Sequence, residues 1–552
     1  RVHSPDARQK GLIDGNYNMS TFQSSFTERT ALWQRLQQGD QQWDMIIVGG
    51  GIIGAGVLRE AARRGLKTLL LEQRDFAWGT SSRSSKMVHG GLRYILQGDI
   101  QLTRESLQER ERLLREAPGL IDRMGYYFTV RKGRFPGRVA FSLLLAFYDL
   151  MAGIRDHHYL KRADVLQHFP GIDSDGLKGA CYYTDTVTDD ARLVLRILQE
   201  AIAAGGCAAN YVKVESLLST DDLIDGVVAV NAESGEQLEL KARAVINATG
   251  TWADTLRNEV NPETRVRPLR GSHLVLAHAR LPVHDCLTIF HPRDKRPVFA
   301  FPWEGTTVVG TTDLDHDQNP DEEASISSSE LDYLLEAVAG QFPQHAITRD
   351  DIISTWSGVR PVIGSDKSKD PSKERRTHAV WVDKGLVTVT GGKLTTFRKI
   401  ALDAISAATG TLGDLASKEP DEAVFNTPDI SARDIGTTDE RWAQRLAGRY
   451  GALAARLFEG ADESEQAKIA STEFCLAECR WAARNESVVH LDDLLLRRTR
   501  LGSLLPRGGE SIFPALETIC AQELHWDSAR WQAELARYRE IWARYYYLPA
   551  SR

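Results

Sequence analysis

The chain has 552 residues, of which 42% are hydrophobic and 26% are charged, and its formal net charge is −7. This composition is typical of a globular protein with two or three domains, and the negative charge argues against a nucleic-acid-binding protein. The six cysteines form no CxxC pair and show no zinc-finger spacing. We therefore predict no metal site and expect reduced thiols, as in the cytoplasm.

The N-terminal part of the chain precedes the first predicted strand. Residues 1–18 are polar and lie before Met19, so we interpret them as a leader segment outside the fold. From Thr21 to Gln42 the apolar residues recur with helical spacing. This pattern predicts a helix that leads into the first strand.

A βαβ nucleotide-binding unit is predicted around Gly49-x-Gly51-x-x-Gly54. A short apolar strand precedes these glycines, a helix follows them, and a second apolar strand ends at Glu72. Gly49 allows the tight turn, Gly51 lets the backbone approach a pyrophosphate, and Gly54 lets the helix pack close to the strand. Glu72 is placed to accept the hydroxyls of an adenosine ribose. A GxGxxG motif alone is weak evidence, but the two strands and the acidic residue together predict a dinucleotide site.

A loop rich in glycine, serine and basic residues is predicted from Gly79 to Tyr94. Its N–H groups and hydroxyls are suited to wrap the phosphates and ring oxygens of a cofactor, although a flexible surface loop has the same composition. We adopt the cofactor-binding interpretation, with contacts from Ser84, Ser85, His89, Gly90 and Gly91.

A basic stretch at 131–138 runs directly into an apolar stretch at 139–153. The apolar stretch contains Asp149 and is shorter than the ~20 residues that cross a bilayer. Basic residues beside an apolar helix fit an in-plane membrane anchor. A buried core helix with a basic entry loop fits the sequence equally well.

The remaining elements of the core predict two structural layers. Residues 245–252 have the pattern of a buried strand followed by a turn that returns to the pyrophosphate. In 268–276 and 298–313 the alternation of residues is typical of strands, which predicts an antiparallel sheet over the substrate. Residues 386–398 repeat the order strand, glycine turn and helix, which directs a second helix N-terminus toward the cofactor. The further cofactor contacts that we predict are Val214, Thr249, Gly250, Trp252, Gly392, Lys393, Leu394 and Thr395.

These elements divide the chain into a core, a Pro- and acid-rich linker and a helical C-terminal domain. The predicted ranges are 19–415 for the core (cofactor-binding parts 43–110, 190–265 and 350–415; substrate-covering parts 111–189 and 266–349), 416–434 for the linker and 435–552 for the C-terminal domain.

Several motifs occur in order along the chain: GGGIIGAG, SSKMVHGGLRY, NATGTWAD, RGSHLVL, GTTD, SGVRP, GGKLTTFRK and, at 481–502, WAARNESVVHLDDLLLRRTRLG. Through them the chain resembles the FAD-dependent, quinone-linked glycerol-3-phosphate dehydrogenases. The resemblance implies an α/β fold with an added α domain. Its parts are a discontinuous Rossmann-like FAD-binding domain, an antiparallel β-sheet substrate domain like that of D-amino-acid oxidase, and a helical C-terminal domain.

The resemblance also implies a reaction and its partners. A hydride passes from C2 of sn-glycerol 3-phosphate to FAD, which gives dihydroxyacetone phosphate, and the electrons then pass to a membrane quinone. We expect non-covalent FAD, a homodimer, and a cytoplasmic protein attached peripherally to the inner face of the cytoplasmic membrane.

The phosphate of this substrate requires a cradle of cations. Arginine matches phosphate oxygens bidentately and lysine acts as a point charge. Either arginine of the pair at 375–376 fits the family motif, and we assign Arg376. The resemblance thus places in the cradle Arg93, Arg360, Arg376 and Lys393, with Tyr94 beside them.

His273 is assigned by the resemblance as the base for the C2 hydroxyl proton. Imidazole titrates near the working pH, which suits general-base catalysis. In the alternative, His273 only hydrogen-bonds the substrate or the backbone, and Arg360 stabilises the developing alkoxide.

Three other functions remain open at this stage. A glycerol-3-phosphate oxidase has the same motifs and reduces oxygen, but tends to carry an inserted segment that we do not find. An amino-acid or sarcosine oxidase of the same fold needs a carboxylate clamp rather than clustered cations. A flavin-binding protein without turnover would not need His273 or the cations.

Overall fold

The structure is a computed structural model that describes residues 29–39, 42–96, 98–364, 377–413 and 423–549. Within these ranges the strands form two sheets. In chain order they are β1 (Trp43–Val48), β2 (Thr68–Leu71), β3 (Ile121–Arg131), β4 (His158–Lys161), β5 (Leu177–Thr188), β6 (Cys207–Ala209), β7 (Val212–Thr220), β8 (Leu223–Asn231), β9 (Gln237–Asn247), β10 (Val266–Ala277), β11 (Cys286–Phe290), β12 (Pro297–Trp303), β13 (Thr306–Gly310), β14 (Leu314–Asp315), β15 (Ile352–Ile363), β16 (His378–Asp383) and β17 (Leu386–Gly391).

The α-helices of the described residues occur mostly between these strands and after the last of them. They are α1 (Arg29–Gln37), α2 (Ile52–Ala62), α3 (Leu92–Leu96), α4 (Ile100–Glu116), α5 (Arg138–Ala152), α6 (Arg162–His168), α7 (Asp190–Ala203), α8 (Ala253–Arg257), α9 (Ser328–Gln341), α10 (Phe397–Ala407), α11 (Thr409–Leu412), α12 (Ala432–Ile435), α13 (Glu440–Tyr450), α14 (Glu463–Gln466), α15 (Leu476–Asn485), α16 (Leu491–Asp493), α17 (Leu501–Leu504), α18 (Phe513–Glu523) and α19 (Ser528–Tyr545).

The first sheet contains the predicted nucleotide-binding unit. Its strands run in the order β16-β17-β9-β1-β2-β6, and β8 and β7 extend it beyond β9. The pairs from β17 to β6 are parallel, so the carboxyl ends of β17, β9, β1 and β2 meet at one edge. Helices α2, α7 and α10 pack on this sheet because their apolar faces are buried in one cluster with Ile47 and Leu70.

The second sheet covers the carboxyl edge of the first. Its strands run in the order β14-β10-β13-β12-β11-β3-β5-β4, with β15 paired to β10. These pairs are antiparallel except β11 with β3. Although 350–415 was assigned to the cofactor-binding part, β15 pairs with β10 from Val266 to Leu276 and so belongs to the second sheet.

The predicted fold class is confirmed: a discontinuous nucleotide-binding domain, a second sheet that is largely antiparallel, and a helical C-terminal region. Of the predicted N-terminal helix, Arg29–Gln37 is helical, while residues 21–28 and 40–41, like the predicted leader at 1–18, lie outside the described residues. Of the predicted linker, 423–434 is described, and Val424 and Phe425 are buried in the core of the first domain.

The C-terminal helices pack against the second sheet rather than forming an isolated body. A single hydrophobic cluster contains Phe301 and Trp356 of the sheet together with Leu494 and Trp531 of the C-terminal region. None of the helices in the described ranges is both long and apolar enough to cross a membrane.

Buried ion pairs join the C-terminal region to the first domain. Asp75, which follows β2, is fully buried and contacts both Arg497, at 2.5 Å, and Arg498, at 2.6 Å. Burial by itself would raise the pKa of Asp75, but the charges of Arg498 and Arg497 outweigh it and lower the pKa. The two arginines come from a π-helical turn at Leu494–Arg498. The carboxylate of Asp75 therefore helps to fix this turn to the first domain.

Replacement of Asp75 tests the strength of this connection. We expect Asp75→Asn to lower the free energy of unfolding by about 3–5 kcal/mol, because two buried guanidinium groups lose their shared counter-ion. The measurement is equilibrium urea unfolding at neutral pH. The matched control is Asp222→Asn, because Asp222 pairs with Lys384 at the surface and should change the free energy by less than about 0.5 kcal/mol. Equal midpoints for the two variants would contradict the expectation.

Candidate active site

A cleft of about 410 Å³ lies at the edge where the two sheets meet. The carboxyl ends of β1, β2, β9 and β17 border it, which is where ligands bind in open α/β sheets. Its volume lies in the ~300–1,000 Å³ range of ligand sites. The residues that line it include Gly49, Gly51, Ile52, Glu72, Thr80, Ser81, Arg83, Ser84, Ser85, His89, Tyr94, Lys213, Val214, Thr249, Gly250, Trp252, Arg360, Pro361, Gly392, Lys393, Leu394 and Thr395.

The glycine turn after β1 fits a pyrophosphate. Gly49 has φ +110°, and a Cβ there would lie 2.6 Å from the Ala248 carbonyl oxygen. A Cβ on Gly54 would lie 1.9 Å from the Gly49 carbonyl oxygen, so only glycine allows α2 to approach β1 this closely. Gly51 caps α2 and lines the cleft. The N-terminus of α2 therefore faces the cleft with its positive dipole end.

Glu72 is held at the wall of the cleft by backbone donors. Its Oε2 accepts from the Gly50 N–H at 2.7 Å, and its Oε1 accepts from the Arg74 N–H at 2.9 Å. Burial raises the pKa of this carboxyl group, although the two backbone hydrogen bonds act in the opposite direction. The carboxylate retains acceptor capacity for the hydroxyls of a ribose.

The predicted loop is an ordered segment along the cleft. Ser84 N–H donates to Asp190 Oδ2 at 2.9 Å, which anchors the segment to the start of α7. Its other end is joined to the second glycine turn, because His89 N–H donates to Thr395 Oγ1 at 3.0 Å and the Thr395 hydroxyl donates to the His89 carbonyl at 3.1 Å.

Two predicted cations line the same cleft. The Arg360 guanidinium contacts Asp313 at 3.1 Å and donates to Thr311 Oγ1 at 3.3 Å. Lys393 Nζ donates to Ser106 Oγ at 2.9 Å and lies 3.6 Å from the centre of the Tyr94 ring.

His273 lies behind the cleft wall. Its side chain is 1% exposed and stacks on Trp356, with ring centroids 5.1 Å apart. Its Nε2 is 2.9 Å from the hydroxyl of Ser85, which does line the cleft. Burial, with the charges of Arg360 and Lys86, holds the pKa of His273 well below its usual value. The imidazole is therefore neutral at neutral pH.

The structure brings most of the predicted residues to the cleft and places some elsewhere. Gly54, Gly90 and Gly91 pack behind it; a Cβ on Gly90 would lie 2.4 Å from Leu107 Cδ2. The side chain of Arg93, and all of Arg375 and Arg376, lie outside the described residues.

Some lining residues were not predicted from the sequence. Ser81 Oγ accepts the Ile52 N–H at 2.9 Å at the start of α2. Arg83 pairs with Glu323 at 2.8 Å and contacts the hydroxyl of Tyr546 at 2.9 Å. Both residues belong to the serine-rich loop, so the composition of this loop could have identified them as cofactor contacts. Their partners are distant in sequence, and no local pattern predicted these contacts.

Comparisons with known proteins agree with this geometry. Residues 44–398 match the family described as FAD dependent oxidoreductase, and residues 413–531 match the C-terminal domain of alpha-glycerophosphate oxidase. The aerobic glycerol-3-phosphate dehydrogenase of Staphylococcus saprophyticus is 32% identical over 486 residues, which cover 83% of this chain and 87% of that protein. That of Staphylococcus epidermidis is 34% identical over 487 residues, with the same coverage.

A solved structure shows the same fold over nearly the whole chain. The glycerol-3-phosphate dehydrogenase from Bacillus halodurans, complexed with FAD, superposes with a TM-score of 0.74 at 28% identity and covers 94% of this chain and 98% of its own. The glycine turn and the acidic residue that follows β2 both fit FAD. The chain therefore belongs to the FAD-dependent glycerol-3-phosphate dehydrogenase family.

Proposed function

We propose that this protein oxidises sn-glycerol 3-phosphate to dihydroxyacetone phosphate. The observation that carries the proposal is that Arg360 and Lys393 line the cleft that fits FAD. A phosphate dianion requires such cations, whereas an amino-acid substrate requires a clamp for one carboxylate. The relatives named for glycerol-3-phosphate dehydrogenase support this substrate. Bound FAD supplies the hydride-accepting chemistry.

The residues of the cleft divide into two groups in this proposal. Those at the glycine turns and along the serine-rich segment hold FAD non-covalently through backbone N–H groups, hydroxyls and Glu72. Arg360 and Lys393 hold the phosphate, and Tyr94 orients Lys393 through its ring face. Arg93 and Arg376 remain predicted members of the phosphate cradle.

The C2 hydroxyl proton passes to His273 by way of Ser85. The imidazole is buried, and the Ser85 hydroxyl is the group that joins its Nε2 to the cleft. The O2–H bond breaks as the serine oxygen accepts its proton, and the serine proton moves to Nε2. Arg360 stabilises the negative charge that develops on O2.

Anaerobic titration tests the substrate and the cations. Glycerol 3-phosphate should bleach the flavin of the FAD-loaded protein, and glycine should not. Arg360→Ala and Lys393→Ala should each weaken glycerol 3-phosphate binding by about 10- to 100-fold, because each removes charge-assisted hydrogen bonds. Arg280→Ala is the control, because Arg280 pairs with Asp351 at the surface of the second sheet. Bleaching by glycine alone, or equal affinities in all variants, would refute the proposal.

The pH dependence of flavin reduction tests the role of His273. A base whose pKa is lowered stays neutral, and so active, to lower pH than an ordinary histidine. The second-order rate constant of reduction should therefore keep its full value at pH 6.5 and fall only below it. His273→Gln should lower this constant by about 10²–10⁴-fold and remove its decrease at low pH.

The control for this experiment is a histidine elsewhere in the second sheet. His278 follows β10 and contacts Thr307 rather than the cleft. His278→Gln should reproduce the wild-type profile. If the rate constant of His273→Gln still decreases at low pH as in wild type, another residue is the base.

Helix α5 supports a membrane-bound quinone as the electron acceptor. Val139, Leu143 and Leu150 lie on one face of the helix and are 73%, 68% and 75% exposed. Phe135, in the preceding loop, is 90% exposed. The same segment carries the exposed basic residues Lys132, Arg134 and Arg138. An exposed apolar stripe beside basic groups is suited to lie in the surface of an anionic membrane.

We therefore propose that the protein attaches peripherally to the inner face of the cytoplasmic membrane and passes electrons to quinone. An oxidase that reduces oxygen is the second candidate, favoured by the match of residues 413–531 to an alpha-glycerophosphate oxidase domain. Reoxidation of the substrate-reduced flavin separates the two. Faster reoxidation by quinone than by air-saturated buffer supports the dehydrogenase, and rapid peroxide formation in air supports the oxidase.

Substitutions on α5 test the membrane contact. Leu143→Asp combined with Leu150→Asp should abolish sedimentation with anionic vesicles, because it places charges in the apolar stripe. Substrate-dependent flavin reduction should be unchanged. Leu223→Asp is the control, because Leu223 is another exposed leucine, 58% exposed, at the start of β8. Loss of binding in both proteins, or in neither, would contradict the assignment.

A further inference from the structure

An arginine of the C-terminal region reaches the back of the segment that lines the cleft. Arg500 Nη2 donates to the Ser82 carbonyl at 2.8 Å and contacts the carboxylate of Asp190. Its Nε donates to Asp189 Oδ1 at 3.0 Å, and its Nη1 donates to the Leu496 carbonyl at 2.7 Å. Four contacts of the guanidinium therefore end on buried groups.

The carboxylate that Arg500 contacts also holds the segment itself. Asp190 Oδ2 accepts the Ser84 N–H at 2.9 Å, and Asp190 Oδ1 accepts from Lys86 Nζ at 2.8 Å. On the other side, Trp356 Nε1 donates to the Ser84 carbonyl at 3.1 Å. The backbone of Ser84 is therefore fixed at both its N–H and its C=O.

The backbone conformation of Ser84 determines where two cleft hydroxyls point. Ser84 and Ser85 both line the cleft, and Ser85 Oγ is 2.9 Å from His273 Nε2. A change in the backbone torsion angles of Ser84 would turn both side chains. The position of the hydroxyls consequently depends on Asp190, and the position of Asp190 depends on its cationic partners.

We propose that Arg500 is a positioning residue for the cofactor site, through which the C-terminal region sets the geometry of Ser84 and Ser85. Lys86 alone does not replace it. Burial and the charge of Arg500 lower the pKa of Lys86 to about 7, so near neutral pH its ammonium is only partly charged. Arg500 remains the permanent cation on Asp190.

A second contact from the C-terminal region acts on the same segment. The guanidinium of Arg83, which also lines the cleft, donates to the Tyr546 hydroxyl at 2.9 Å and 3.1 Å. Tyr546 is fixed in turn, because its carbonyl accepts the Thr355 N–H at 2.9 Å. The C-terminal region thus contacts the segment at two neighbouring residues, Ser82 and Arg83.

The experiment compares Arg500→Met with a matched arginine variant of the full-length protein. Arg480→Met is the control: Arg480 is buried in ion pairs with Glu465 and Glu523, which also belong to the C-terminal region. Three quantities are measured for each protein: the Tm without FAD, the Kd for FAD and the visible absorption of the bound flavin. We expect both variants to lower the Tm. Only Arg500→Met should raise the Kd for FAD, by at least tenfold, and shift the flavin absorption.

Arg500→Lys keeps the proposal testable if Arg500→Met does not fold. Lysine preserves the charge, but its three N–H donors cannot reproduce the four contacts that Arg500 makes with Ser82, Leu496, Asp189 and Asp190. In this variant, amide hydrogen exchange of the FAD-free protein should be faster at 82–86 than in wild type, and the Kd for FAD should lie between those of wild type and Arg500→Met. The proposal is overturned if the Arg500 variants leave the Kd and the exchange at 82–86 unchanged. It is equally overturned if Arg480→Met changes the Kd for FAD as much as Arg500→Met.

Discussion

Charges that leave water must be paired, and this constraint joins the C-terminal region of the protein to its cleft. Asp75 and Asp190 stand directly behind segments that line the cleft, and both are completely buried. Their arginine partners, Arg497, Arg498 and Arg500, come from one short stretch late in the chain, residues 497–500. A carboxylate left without its partner in such a place costs several kcal/mol. The nucleotide-binding domain therefore depends on contacts from the C-terminal region.

The same low-dielectric surroundings decide the chemistry of His273. Stacked on Trp356 and near the cations Arg360 and Lys86, its imidazole is kept neutral. Neutral imidazole is the form that accepts a proton, and the arrival of a dianionic substrate would offset the repulsion from the cations. Because His273 is buried behind the cleft wall, its ring does not line the cleft. The Ser85 hydroxyl lies between the ring and the cleft, and for this reason it is part of the proposed proton path.

Helix α5 has one buried face and one exposed apolar face. Phe141, Leu145 and Tyr148 are buried, and the Tyr148 hydroxyl donates to Asp185 at 2.7 Å beside the turn that contains Gly90. The opposite face is apolar and exposed. The buried face agrees with the core-helix interpretation, and the exposed apolar face is the surface for which membrane attachment is proposed.

The sequence by itself determined the local elements: the glycine turn at Gly49, the acidic residue Glu72 and the second glycine turn before Lys393 follow from short-range spacing, because neighbouring residues fix a turn or a helix start. Motif order then identified the family and its layers. Only the tertiary structure decided that β15 joins the second sheet, that His273 is buried behind Ser85, and that Arg500 lies behind the cleft. Strand pairing, burial and ion pairing between distant segments depend on how the whole chain packs, so local sequence patterns do not predict them.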